Sequence, residues 1–374
     1  MSGVRHLYVH LPFCAQRCGY CDFVTVVGRR GGHGAYIEAL VAELSLQREL
    51  LAPELETVFL GGGTPTFTEP AALERLLRAL PPAAEVTVEA NPETVTPALA
   101  ALLGRNGVDR ISIGAQSFQP RLLRVLDRVA GPDDVRHAFY HLCDAGFGNI
   151  SLDLIYGIPG QEPFELEADI EEALRLGPEH LSCYELEAKP GTRLTHAHGE
   201  ELARQAEALE GYFERVVELL LAAGYRWYET ANFCRQPELA GGRDLRSAHN
   251  LAYWRGRDYL GLGIGAVSTV AGRRWRTTAR LPQYVQALGR GELPPRELEL
   301  LAPAVQREER VLLGLRLDEP LALPPVADRV DRAALVRLER LGLARVVGAP
   351  DAEALTLTPR GRRLGGGVTA ELLA

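Results

Sequence analysis

Short strand-like runs recur along the first half of this chain, and most are followed by an amphipathic stretch. Leu7–Pro12 is the first, and Val58–Gly62, Glu85–Glu89, Arg110–Gly114, Ile150–Leu154 and His180–Glu185 continue the series. Between them, Tyr36–Leu51, Pro70–Leu80, Thr96–Arg105 and Pro163–Leu176 carry apolar residues at helical spacing. Glu69-Pro70 and Thr96-Pro97 put proline where a helix begins. Strand-then-helix repeats make parallel strands joined by right-handed crossovers. The expected class is therefore α/β, with a barrel or partial barrel as its core. In such folds function collects at the C-terminal ends of the strands, where this chain places glycines and polar side chains.

The 374 residues exceed one minimal domain, and 46% of them are apolar, enough for a large core. After residue 235 the character changes: Arg235–Ser247 is rich in Gly, Arg and Pro, and Gly261–Gly265 is glycine-heavy. From Ala302 the pattern is helical, then Leu335–Leu343 leads through Gly342 into Ala354–Thr358. Helix, turn, helix and a small β-wing give an α+β region resembling a winged helix. The expected division is a barrel over 1–235, an extension over 236–300 and a winged-helix-like domain over 301–374.

No apolar run approaches the roughly 18–20 residues needed to span a bilayer, and the first residues lack an export pattern. Six cysteines without such a signal suit a reducing compartment, so a cytoplasmic protein is expected. The net charge of -8 argues against nonspecific nucleic-acid binding. Met1 is the only methionine, so heme iron bound here would draw on histidine or cysteine rather than a thioether.

Cys14, Cys18 and Cys21 sit in a loop directly after the first strand. Thiols at this spacing can wrap a cuboidal cluster and reach three of its irons, leaving the fourth open for chemistry. A structural zinc is the alternative, and zinc asks for a closed tetrahedral shell. His10 could complete one, although strand alternation puts it on the face of Tyr8. Gly61-Gly62-Gly63-Thr64-Pro65 follows a strand but matches neither a Walker A loop nor GxGxxG. It suits close backbone approach to the amino-acid end of a small ligand. Glu89, Gln116 and Asp153 stand at successive strand ends, where an unpaired carboxylate is costly unless a ligand or arginine meets it. Arg128 could meet a ligand carboxylate.

Tyr8-Val-His-Leu-Pro-Phe-Cys14, Cys18-Gly-Tyr-Cys21-Asp-Phe23, Gly61–Pro65, Glu89-Ala-Asn-Pro-Glu93, Gly114-Ala-Gln-Ser-Phe118 and Asp153–Pro159 together resemble the radical S-adenosylmethionine (SAM) proteins of the oxygen-independent coproporphyrinogen oxidase family. The likeness covers nearly the whole chain. It implies a partial (β/α)6 TIM-like barrel and a [4Fe–4S] cluster on Cys14, Cys18 and Cys21. SAM would chelate the open iron, with contacts from Tyr8, Tyr20, Gly62, Gly63, Thr64, Glu89, Gln116, Arg128 and Asp153. Glu187 falls at a further contact, made through backbone. Reductive cleavage of SAM would then yield methionine and a 5′-deoxyadenosyl radical.

Two branches of that family differ at Phe23. The oxidases carry a fourth cysteine there and a longer segment before the cysteine loop. Phe23 and the short N-terminus match instead the HemW-type branch of heme chaperones, which deliver heme to acceptor proteins. His249-Asn-Leu-Ala-Tyr253-Trp254 has that branch's HNxxYW form. His249 is either a heme ligand beside an aromatic wall or a packing residue bonded to the barrel. Ala130 departs from the branch, which often has histidine there. The resemblance thus implies heme, heme-accepting apoproteins and a low-potential electron donor as partners, with homodimerisation left open. The alternative is coproporphyrinogen III decarboxylation to protoporphyrinogen IX. A third option is another radical SAM reaction. Outside these motifs, His137 and His141 suit a surface helix, His196 and His198 an exposed loop, and Cys143, Cys183 and Cys234 buried positions.

Overall fold

The computed structural model describes residues 3–28, 30–187, 189–349 and 352–373. Six strands, β1 (His6–Leu11), β2 (Leu55–Gly62), β3 (Ala83–Ala90), β4 (Arg110–Gln116), β5 (Ile150–Tyr156) and β6 (His180–Glu185), lie side by side in chain order. Their pairings are parallel, with His6 opposite Thr57, Thr87 opposite Arg110 and Asp153 opposite Ser182. Beyond β6 the sheet continues as an antiparallel pair, β7 (Tyr225–Trp227) and β8 (Asn232–Arg235). At the opposite edge β9 (Leu260–Leu262) returns to run parallel to β1. Among the described residues β7 and β9 are not paired to each other, so the sheet is a partial barrel.

Alternation along these strands sorts two environments. Leu7, Val9, Leu11, Val58, Leu60, Ile111 and Ile113 are fully buried in the large core shared with the surrounding helices. Each such side chain contributes about 1.5–3 kcal/mol by leaving water. The other face is polar: His6 bonds Thr57, Ser112 bonds Asp153, and Ser151 bonds His180, each across adjacent strands. A lumen lined this way must satisfy its polar groups internally.

The N-terminal end of that lumen is closed by a short helix, Ala248–Trp254. Glu85 accepts the Ala248 and His249 N–H groups at 3.1 and 3.2 Å, and Ser247 caps the helix by accepting from Asn250. Tyr228 continues the seal: its hydroxyl meets His180 Nε2 at 2.7 Å and accepts from the Ser247 N–H.

Near the C-terminus, helices Pro303–Gly314 and Arg332–Arg340 pack with strands Leu321–Ala322, Ala344–Val347 and Ala354–Leu357 and helix Gly365–Leu372. They enclose their own core, including Val311, Leu338 and Leu355. Ion pairs fasten this region to the barrel edge: Arg226 with Asp318 at 2.7 Å, Arg316 with buried Glu229 at 2.6 Å, and Arg246 with Glu319 at 2.6 Å.

Three local expectations need correction. The first helix is His33–Leu46, not Tyr36–Leu51; Val4 draws the following residues out of it by bonding Leu50 and Ala52. Cys143 is exposed, because the buried stripe of its helix runs through Val135, Ala138, Phe139 and Leu142 and leaves the next residue turned away. His196 and His198 lie on a kinked helix, Arg193–Gln205, rather than in a loop.

Candidate functional site

At the C-terminal ends of the six strands lies a cleft of about 420 Å³. The cysteine loop forms one wall. Cys14 ends a two-residue strand that pairs with Val26–Val27, so the loop leaves and returns at one place. The loop is held at several points: Gly19 N–H bonds the Leu126 carbonyl at 3.1 Å, Gln16 bonds Asp127, and Leu194 N–H bonds Gly19. A side chain at Gly19 would meet the Asp127 carboxylate at 2.9 Å, so the loop packs closely on this turn.

All three thiols are free and line the cleft. Burial pushes the Cys14 and Cys21 thiols up, so they are protonated until a metal displaces the proton. Thr64 Oγ1 lies 3.5 Å from Cys14 Sγ and Arg128 Nη1 lies 3.6 Å from Cys18 Sγ, each placed to donate. Hydrogen bonds of this kind stabilise thiolate sulfur on an iron–sulfur cluster. No group of three or more His, Cys, Asp or Glu among the described residues converges as around a single ion. His10 is engaged elsewhere, with Tyr8 on Nδ1 at 3.0 Å and the Val24 carbonyl on Nε2 at 2.8 Å. The donor set fits a cuboid spread over several irons better than a closed zinc cage.

Opposite the cysteines, β2 delivers the glycine run. Gly62 has φ +108°, and a Cβ there would lie 2.3 Å from the His10 ring; one on Gly63 would lie 2.5 Å from the Pro12 carbonyl carbon. The Glu89 carboxylate accepts the Gly62 N–H at 3.0 Å, and burial together with Asp153 pushes it up to about 7. Asp153 is also pushed up by burial, against the pull of nearby serine hydroxyls and Arg110. Ser112 bonds both its oxygens at 3.0 Å. Gln116 holds φ +66° at a register shift in β4, which re-aims the strand end at the cleft.

Arg128 donates through Nη2 to Asn91 at 3.1 Å and to the Gly114 carbonyl at 2.7 Å, while its buried Nε has no partner. Its guanidinium lines the cleft beside Cys18, a setting that suits an anionic ligand group. Tyr20, Thr64 and Glu187 also bound the cleft. Tyr8 does not: its ring lies below, stacked on Phe59 at 6.3 Å. Two contributors escaped the sequence reading. Asn91 bridges Arg128 and Thr64, and its signal was its place beside Glu89; Ser112 could have been found from the alternation of β4.

His249 sits at the other end of the barrel, 1% exposed. Thr57 Oγ1 occupies its Nδ1 at 2.7 Å and the Tyr253 hydroxyl its Nε2 at 3.2 Å. Phe59 stacks on the ring at 5.1 Å, and burial pushes the imidazole down to about 3, keeping it neutral. Neither nitrogen is free for iron in this arrangement.

Comparison with known proteins agrees with this architecture. Residues 8–173 match the Radical SAM superfamily. The heme chaperone HemW of Mycobacterium tuberculosis is 38% identical, covering 98% of this chain and 94% of that one. HemW of Bacillus subtilis is 33% identical over 88% of each chain, and HemW of Escherichia coli 38% identical over 73% of this chain and 72% of its own. In structure, Escherichia coli coproporphyrinogen III oxidase (HemN), a radical SAM enzyme, superposes with a TM-score of 0.80 at 22% identity, covering 100% of this chain and 91% of that one. At that identity the match speaks for the shared fold. With full-length similarity to HemW proteins and the Radical SAM match on the barrel that carries the cysteine cleft, this chain belongs to the HemW family of the radical SAM superfamily.

Proposed function

We propose that this protein binds heme and passes it to acceptor proteins, using a [4Fe–4S] cluster on Cys14, Cys18 and Cys21 and a SAM site beside it. The observation that carries the reading is Phe23. It stands at the oxidases' fourth-cysteine position, lines the cleft and is 62% exposed, in a chain similar along 98% of its length to a named heme chaperone. When bound, such a cluster supplies a low-potential electron and an iron corner open to SAM.

The chain's own residues divide the work of holding SAM. Gly62 and Gly63 bring backbone close, Glu89 takes the ammonium, Arg128 takes the carboxylate, and Tyr20, Thr64, Gln116, Asp153 and Glu187 bound the remainder. Asp153 is held rigid by its serines, which suits it to a ribose or amine contact. Tyr8 acts from below by fixing His10 under Gly62.

Further parts of the proposal are a cytoplasmic setting, a low-potential electron donor and no nucleic-acid partner. None of the helices among the described residues is long and apolar enough to cross a membrane. The division into 1–235, 236–300 and a winged-helix-like 301–374 belongs here too, supported by the separate C-terminal core.

The test is anaerobic reconstitution followed by hemin titration and transfer to an apo-hemoprotein. A Soret band and stoichiometric transfer are expected; absence of hemin binding refutes the reading. Vinyl product from coproporphyrinogen III with SAM and reductant would replace it with the oxidase alternative.

A further inference from the structure

Besides the cysteine cleft the molecule has a second cavity, of about 690 Å³. It lies between the barrel edge and the C-terminal region, a volume in the range that holds cofactor-sized ligands. Two of the chain's three tryptophans, Trp227 and Trp254, line it. Trp227 comes from the edge strand β7, whereas Trp254 is the last residue of the helix that closes the barrel. Leucines of helix Pro303–Gly314 and of the segment after it add apolar wall.

Three arginines, Arg316, Arg362 and Arg363, are among its polar lining residues. Arg316 stacks on Trp254 at 4.3 Å and is already paired with Glu229. Arg362 stacks on Trp227 at 3.8 Å and gives Nη1 to the Trp227 carbonyl, but its buried Nη2 has no partner. Burial pushes this guanidinium down to about 10, so it stays charged while poorly solvated. Arg363 pairs with Glu214 through Nη1 at 3.4 Å, and its buried Nε has no partner. Helix Gly365–Leu372 starts at the same wall, and side chains added at Gly365 or Gly366 would meet nothing within 4 Å. The Arg362 and Arg363 side chains and the first turn of helix Gly365–Leu372 line one wall, a cationic edge beside the apolar surface of the leucines and tryptophans. The carboxylates that also line it are Glu185 and Glu210. Glu185 is shared with the cysteine cleft, so the two cavities adjoin there.

We propose that this cavity is the tetrapyrrole site: it takes a planar apolar macrocycle against the tryptophan-lined wall and binds its two carboxylates through Arg362, Arg363 and the start of helix Gly365–Leu372. The proposal rests on the heme reading above and deepens it by naming where the ligand sits and what is recognised. Recognition runs through the carboxylates and the ring face, not through His249. It follows that iron is dispensable for binding here.

The experiment titrates the full-length, cluster-loaded protein with hemin, iron-free protoporphyrin IX and protoporphyrin IX dimethyl ester, following tryptophan quenching and the Soret band. Iron-free protoporphyrin is expected to bind within a few-fold of hemin, and the diester at least about tenfold more weakly, as loss of charge-assisted bonds dictates. The Arg362→Gln/Arg363→Gln double variant is expected to lose the same factor for hemin and nothing for the diester. Equal affinity for diester and free acid in the wild type overturns the site without help from any variant. So does wild-type hemin affinity in a double variant whose melting temperature and iron content are unchanged. If the wild type binds no hemin at all, the functional reading falls together with the site.

Discussion

Arg128 holds its Nη1 3.6 Å from the Cys18 sulfur while its Nη2 is anchored on the Gly114 carbonyl at 2.7 Å. A fixed positive charge at that distance favours the more negative, reduced form of a cluster bound to Cys18. Arg128→Met is therefore expected to lower the cluster's midpoint potential by on the order of 50–100 mV. Redox titration followed by electron paramagnetic resonance reads this directly. An unchanged potential would show that the guanidinium does not sense the sulfur.

Replacing Cys14, Cys18 or Cys21 singly with alanine should abolish stoichiometric iron and sulfide after anaerobic reconstitution. Cys143→Ala should leave both unchanged, since Cys143 is exposed on a helix outside the cleft lining. Iron and acid-labile sulfide assays separate the two groups. Full iron loading in a Cys18→Ala variant would contradict the three-thiolate assignment.

Glu89 makes the cleft pH-sensitive. Its folded value of about 7 lies above the usual 4.5, so folding prefers the protonated acid. Its contribution to stability is fullest below about pH 4.5 and declines as pH rises through 7. Ligand binding runs the other way, because an ammonium requires the carboxylate. SAM affinity should rise up to about tenfold per unit between pH 6 and 7 and level off by pH 8. Calorimetry on wild type and Glu89→Gln should show a slope in the first and a flat, weaker profile in the second.

His249→Ala should cost about 2–4 kcal/mol of stability, since it removes one of the two imidazole partners of the Thr57 hydroxyl and a ring stacked on Phe59. Hemin affinity should stay within about twofold of wild type. A lost or shifted Soret band in a folded variant would restore His249 as a ligand.

Asp169 gathers the turn that follows Gln116. Its carboxylate, 1% exposed, accepts from the Ser117 hydroxyl at 2.6 Å, the Phe118 N–H at 2.8 Å and the Gln119 amide at 3.1 Å. Asp169→Ala leaves the Ser117 and Phe118 donors buried and unpaired, an expected loss of about 2–4 kcal/mol. Denaturant unfolding checks the figure. Asp169→Asn should recover part of it.

Much of the barrel could be read from residue order, because each core strand alternates apolar and polar side chains and each helix carries its own stripe. β1 to β6 were found for that reason. The cysteine loop and the glycine run were legible because their spacing is local. What escaped depends on distant segments meeting. Nothing near residue 249 announces that its ring will be locked between Thr57 and Tyr253, nor near residue 46 that Val4 will end the first helix early. The cavity beside Trp227 and Trp254 was invisible for the same reason: its walls come from seven separate parts of the chain.

Gly62 has its hydrogen pressed toward the His10 ring, where any larger substituent collides whether or not the cleft is filled. Its presence is thus demanded by the His10 ring of the neighbouring parallel strand before any nucleotide is involved. A descendant that abandoned SAM altogether would still have to keep this glycine, so its retention in a relative cannot serve as a marker of radical chemistry.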